Sequence, residues 1–119
     1  MDILITNNPL VEERYKAGFQ VEHLESLDDV LIRARDRVHD GHRLLTHPLS
    51  GSLKPNETPY KTVLVSGARS EPDERSVLII EESLLFARGF PPRHIPERYL
   101  PDLQTVDLSL IRSALETGP

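Results

Sequence analysis

The residues best suited to chemistry lie in one stretch, His47–Tyr60, where His47, Ser50, Ser52, Lys54, Asn56 and Thr58 surround Gly51. An imidazole, hydroxyls, an ammonium and an amide can donate hydrogen bonds to carboxylate or phosphate oxygens, and a glycine lets backbone approach a ligand. Three prolines, Pro48, Pro55 and Pro59, oppose a helix here. A loop this long inside a compact domain is usually functional or mobile, although a proline-stiffened structural loop has the same composition. The spacing is neither that of a Walker loop nor GxGxxG. Asn7 and Asn8, just before Pro9, form the second candidate. Their amides and the following helix start could meet an anion, but Asn-Asn-Pro is equally a turn and helix cap. The expected ligand site is therefore Asn7, Asn8, His47, Ser50, Gly51, Ser52, Lys54 and Asn56, for a small anion or an acidic segment of a partner.

Two catalytic readings stand beside this one. Ser50 or Ser52 could pair with His47 and Asp40, or His47 could act as acid/base in a small hydrolase or transferase. No GxSxG elbow supports a serine nucleophile, so the balance leans away from an enzyme. His39, Asp40, His42 and His47 offer nitrogen and oxygen ligands for a metal-assisted variant, yet Gly41 interrupts them and no HExxH order exists. The helix dipole explains His39 without a metal, and no cofactor is expected. Arg88, Arg93, His94 and Arg98 make a further basic cluster, read as a solvated connector or a surface for an acidic partner. Tyr15, Tyr60 and Tyr99 are too scattered for a nucleic-acid stacking platform.

Composition narrows the classes. The net charge of −5 opposes generic nucleic-acid binding. Between Arg33 and Lys61, however, six basic residues (Arg33, Arg35, Arg37, Arg43, Lys54 and Lys61) meet three acids (Asp36, Asp40 and Glu57), a local excess that suits a small anion better than a polymer. There is no cysteine, so disulfides, thiolate nucleophiles and sulfur-ligated metals are excluded. Met1-Asp2-Ile3-Leu4-Ile5 lacks the basic flank and the apolar length of a signal or membrane segment, and a soluble cytoplasmic protein is expected.

The 119 residues suit one domain, 1–119, with one real core. Hydrophobic periodicity predicts strands at Asp2–Thr6, Phe19–Leu24, Arg43–Thr46 and Lys61–Ser66. It predicts helices at Pro9 to about Lys16, ended by Gly18, and from a Ser26 or Asp28 cap to Gly41, with Leu27, Val30, Leu31, Ala34 and Val38 inward. Further helices are predicted at Pro72–Arg88 and Asp102–Glu116, the last burying Leu103, Val106, Leu110, Ala114 and Leu115. Phe90–Pro101, with four prolines, reads as an extended connector. The order β-α-β-α-β-loop-β-α-α predicts a layered α/β sandwich with a four-stranded, mostly parallel or mixed sheet. In open α/β sheets ligands bind beyond the carboxyl ends of the strands. That rule places Asn7, Asn8, Thr46 and His47 together, with Ser66 and Gly67 only if the last strand is parallel. An exposed edge strand leaves a homodimer open.

Ile5-Thr6-Asn7-Asn8-Pro9 and the run Gly41–Lys61 (GHRLLTHPLSGSLKPNETPYK) resemble the GrdX family, small proteins associated with glycine, sarcosine and betaine reductase gene clusters. The resemblance runs from about Ile3 to Ile111 and is most specific in the central loop. It implies amino-acid reductase metabolism as context and a reductase component as partner, and carries no catalytic residue. Without cysteine the chain cannot perform thiol chemistry in such a system, so the resemblance implies an accessory, non-redox role.

Overall fold

Period-two alternation places Ile3 and Ile5 on one face of the first strand and Leu4 and Thr6 on the other, and all four are buried. In the computed structural model, which describes residues 1–117, this strand, β1 (Ile3–Thr6), is the centre of the sheet. Asn8 then caps α1 (Pro9–Tyr15), its side chain accepting from the Leu10 N–H with Pro9 in the first turn. The helix stops at Tyr15 with Lys16 as its C-cap, two residues before the expected Gly18. The edge strand β2 (Gln20–His23) follows. Ser26 rather than Asp28 caps α2 (Leu27–His39), whose Val30, Leu31, Ala34 and Val38 are buried as their spacing requires. Gly41, with φ +104°, turns the chain out of that helix; a Cβ there would lie 2.2 Å from the Ser70 carbonyl oxygen. The remaining elements are β3 (Thr62–Val65), α3 (Glu74–Arg88, capped by Asp73), a 3₁₀ turn (Glu97–Tyr99) and α4 (Leu100–Thr117).

The sheet corrects the expectation of four mostly parallel strands. It has three among the described residues, in the order β2-β1-β3; β1 runs parallel to β2 and antiparallel to β3. Arg43–Thr46 contributes only an isolated antiparallel bridge, Leu44 to Val65. Side chains take the backbone donors a ladder would use there. The Leu44 N–H donates to Ser76 Oγ at 3.1 Å, and the Leu64 N–H to Thr46 Oγ1 at 3.0 Å.

Helices α2 and α3 pack on one face of the sheet and α1 and α4 on the other, a three-layer arrangement. Over β1 and β3 the face toward α2 and α3 is apolar, with Ile3, Ile5, Val63 and Val65 packed against Val30, Leu31, Ile80 and Leu84; on the edge strand the same face carries Gln20 and Glu22, and Glu22 pairs with Arg33 and Arg37 of α2. The opposite cluster is small: Leu4, Val11, Leu64 and Ile111. A second correction concerns α4. The helix starts at Leu100, inside the expected connector, and it buries Asp107 and Ile111 while Val106 (41%) and Leu110 (36%) stay exposed. Asp107 meets Thr62 on β3 and Asn8 at the start of α1. No helix among the described residues is long and apolar enough to cross a membrane.

Candidate functional site

Because β3 is antiparallel to β1, its first residue reaches the same sheet edge as the carboxyl ends of β1 and β2. Lys61 and Thr62 therefore join Asn7 and Asn8 at the edge where open α/β sheets bind ligands, while Ser66 and Gly67 lie at the opposite one. The 47–60 loop and the connector after α3 face each other above this edge, tied by Asn56 Nδ2 donating to the Pro91 carbonyl at 3.1 Å. Between them is a cleft of about 660 Å³, with Asn7, Ser26, Asn56, Tyr60 and Arg93 among its polar walls and several prolines, Phe90 and Ile95 among its apolar ones. A neighbouring cleft of about 320 Å³ shares Asn56, Arg93 and Ile95 and adds His94, Tyr99 and Asp102. Arg93 has no carboxylate within ion-pair distance among the described residues. Two acids in these walls are already engaged: Asp28 pairs with Arg88 at 3.2 Å, and Glu57 accepts from the Lys54 N–H at 2.8 Å.

Beneath the loop lies a buried polar node. The register pairs Thr6 with Thr62, and their hydroxyls meet at 2.7 Å. Thr62 Oγ1 donates to Asp107 Oδ2 at 2.8 Å, so the proton between the two threonines comes from Thr6, which itself accepts from the Asn8 N–H at 3.0 Å. Asn8 Nδ2 closes the ring, donating to the same Asp107 oxygen at 3.0 Å and to the Gln104 carbonyl at 2.9 Å. Two of the ring's donors, Thr62 Oγ1 and Asn8 Nδ2, converge on one carboxylate oxygen. Lys61 sits beside it, 9% exposed, with no hydrogen bond or ion pair to its ammonium among the described residues. Burial pushes its pKa below the ordinary lysine value, and the nearby charge of Asp107 offsets part of that shift. Thr46, His47, Pro48 and Ser50 roof a recess of about 20 Å³ that Lys61 and Asp107 floor.

The expected site residues are not gathered into one pocket. Asn7 lines the large cleft, but its amide donates to the Pro59 carbonyl at 2.7 Å and accepts from the Lys61 N–H at 2.9 Å. Asn8 spends its side chain on the α1 cap and on α4. Asn56 lines both clefts, and His47 and Ser50 border the recess. Ser52 and Lys54 are exposed on the outer part of the loop. Gly51 has φ +109°, and a Cβ would fall 2.7 Å from Leu110 Cδ1; its lack of a side chain seats the loop on α4.

The catalytic and metal sets are not gathered either, although His42 Nε2 lies 4.0 Å from Asp40 Oδ2. Ser50 Oγ donates to the His47 carbonyl rather than the ring, and His47 Nδ1 accepts from the Leu49 N–H at 3.1 Å, which leaves the ring proton on Nε2. Asp40 pairs with Arg69 at 2.7 Å, His39 meets Glu81 at 2.8 Å, and His42 Nδ1 donates to the Ser66 carbonyl at 2.6 Å. Among the described residues no three histidine or acidic side chains are grouped to hold a metal ion. Of the basic connector cluster, Arg88 pairs with Asp28 and Arg98 lies over the Tyr99 ring.

Sequence reasoning missed Lys61, Thr62 and Asp107. A polar residue at the end of a buried strand and an acid within the apolar stripe of α4 were the available signals. Both depended on knowing the direction of β3 and the rotation of α4. No curated protein and no solved structure matches this chain. A family model described as GrdX-like protein matches residues 3–116, nearly the whole chain, and the chain belongs to that family.

Proposed function

We propose that this is an accessory, non-redox protein of glycine, sarcosine or betaine reductase metabolism. It holds a small carboxylate- or phosphate-bearing ligand, or an acidic segment of a reductase component, between the 47–60 loop and the facing connector. The family supplies the context, and the absence of cysteine removes a thiol role. The observation that carries the binding reading is Arg93, a guanidinium with no ion pair among the described residues, set in the wall shared by both clefts together with Asn56. A guanidinium fork recognises carboxylate and phosphate oxygens in pairs. Glu25, Asp28, Glu57 and Asp102 in the same walls oppose a polyanion and favour a short ligand or segment.

A ligand that binds only the folded state must raise the melting temperature by mass action. Thermal-shift measurements with phosphate, acetyl phosphate, glycine, sarcosine, betaine, nucleotides and divalent metals are expected to find at least one anionic ligand whose shift is lost in Arg93→Ala. Lys54→Ala measures what the outer loop adds. A flat screen together with no retention on immobilised reductase components would overturn the proposal.

A further inference from the structure

The smaller cleft holds charges of both signs that the fold leaves unused. Arg93 comes from the connector after α3 and Asp102 from the first turn of α4, and both line the same space. Among the described residues neither side chain makes a hydrogen bond or an ion pair, whether with the other or with any third group. Glu57, the other acid in these walls, already accepts from the Lys54 N–H at 2.8 Å. A bare anion entering here would meet one guanidinium but two carboxylates, whose repulsion offsets much of what Arg93 contributes. A ligand that carries its own cation reverses that balance. The remaining walls are largely apolar, from Leu53, Ile95, Pro96 and Leu103. The volume, about 320 Å³, is enough for a small molecule, whose sites span roughly 300–1,000 Å³.

Resting on the binding reading above and narrowing it, we propose that this cleft takes a free α-amino acid with an aliphatic side chain. Arg93 receives the carboxylate through paired N–H donors, and Asp102 accepts hydrogen bonds from the ammonium. The aliphatic side chain lies against Leu53, Ile95 and Leu103. Each CH₂ group removed from water there strengthens binding about fourfold, which separates such a ligand from glycine. A carboxylate and an ammonium on one carbon occur in a free amino acid and in no internal segment of a protein. The occupant of this cleft is therefore a small molecule rather than a stretch of a partner chain.

The test is a thermal-shift titration of the intact protein at pH 7 with leucine, isocaproate, leucinamide and glycine. Relative to leucine, these remove in turn the ammonium, the carboxylate and the side chain. Leucine is expected to bind at least about tenfold tighter than each of the others. Asp102→Asn is expected to lower leucine to the level of isocaproate and to leave isocaproate no weaker, whereas Arg93→Ala weakens both. Both residues are exposed, so the variants are expected to fold, and urea unfolding checks that they do. Isocaproate binding as tightly as leucine overturns the inference but keeps the anion reading, because Arg93 would then act without Asp102. Glycine or leucinamide matching leucine also overturns it. So does the absence of any leucine shift, and the anion reading falls with it only if phosphate and the other anions give no Arg93-dependent shift either.

Discussion

The two faces of the sheet are built on different principles. Toward α2 and α3, the β1 and β3 residues Ile3, Ile5, Val63 and Val65 are aliphatic and pack into one continuous apolar layer, while the edge strand β2 carries Gln20 and Glu22 on that side. Toward α1 and α4, Leu4 and Leu64 give way to Thr6 and Thr62, and the layer turns from apolar to polar toward the carboxyl end of β1. The first face supplies stability chiefly through apolar burial, with the Glu22–Arg37 pair at its edge. The second spends part of its interior on a hydrogen-bonded ring that fixes Asp107 beside Lys61, a layout that costs desolvation unless every donor is satisfied.

Leu31→Ala, in the fully buried apolar layer, is expected to give the largest loss, about 2–5 kcal/mol, read by urea unfolding. A loss below about 1 kcal/mol would mean that this layer is not the main source of stability. Asp107→Ala leaves the Asn8 amide and the Thr62 hydroxyl without their acceptor and is expected to cost about 1–3 kcal/mol. Its effect should be non-additive with Asn8→Ala, since both sit in one network; strict additivity in a double-mutant cycle would dissolve the ring as a unit.

Glu22→Gln tests the edge strand. Burial alone would raise the Glu22 pKa, but hydrogen bonds and charge from Arg37, with Arg33 adding to them, hold it below the ordinary value. The Arg37 side of the pair shifts upward correspondingly. A depressed carboxylate stabilises the fold above its unfolded pKa and loses that contribution as pH falls through the folded one. The wild type should therefore exceed Glu22→Gln by about 1–2 kcal/mol at neutral pH, with the gap closing in acid. A gap independent of pH would contradict the ion-pair account. The smallest effect belongs to Lys61→Met. Lys61 has a lowered folded pKa, so the unfolded state binds its proton more tightly and the penalty is complete at pH below that folded value. It is relieved as pH rises toward the unfolded lysine pKa. Thermal unfolding across pH 7 to 10 should show the wild type gaining on Lys61→Met, and parallel curves would remove the desolvation argument.

Much of the scaffold was legible in the residues. The Asn8 and Ser26 caps, the apolar stripe of α2 and the buried strand Ile3–Thr6 follow from short-range rules, because capping and amphipathic spacing are satisfied within one or two turns. Arg43–Thr46 has strand composition but forms no strand: the Leu44 N–H goes to Ser76, a residue distant in sequence on α3, and the segment's own Thr46 hydroxyl takes the Leu64 N–H. The site was legible only in outline. The loop and the sheet edge were identified, yet Lys54 and Ser52 face outward while Asn7 and Asn8 serve as clasps between elements.

By itself the sequence determined family membership, the lack of thiol chemistry and the local elements, which depend on residue type and near neighbours. Only the tertiary structure decided the antiparallel entry of β3 and the rotation of α4. Those two choices bring Lys61, Thr62, Asp107 and Asn8 from distant parts of the chain to one point. Hydrogen bonds between residues 45 to 99 positions apart carry no local periodicity, so no pattern along the chain could announce them.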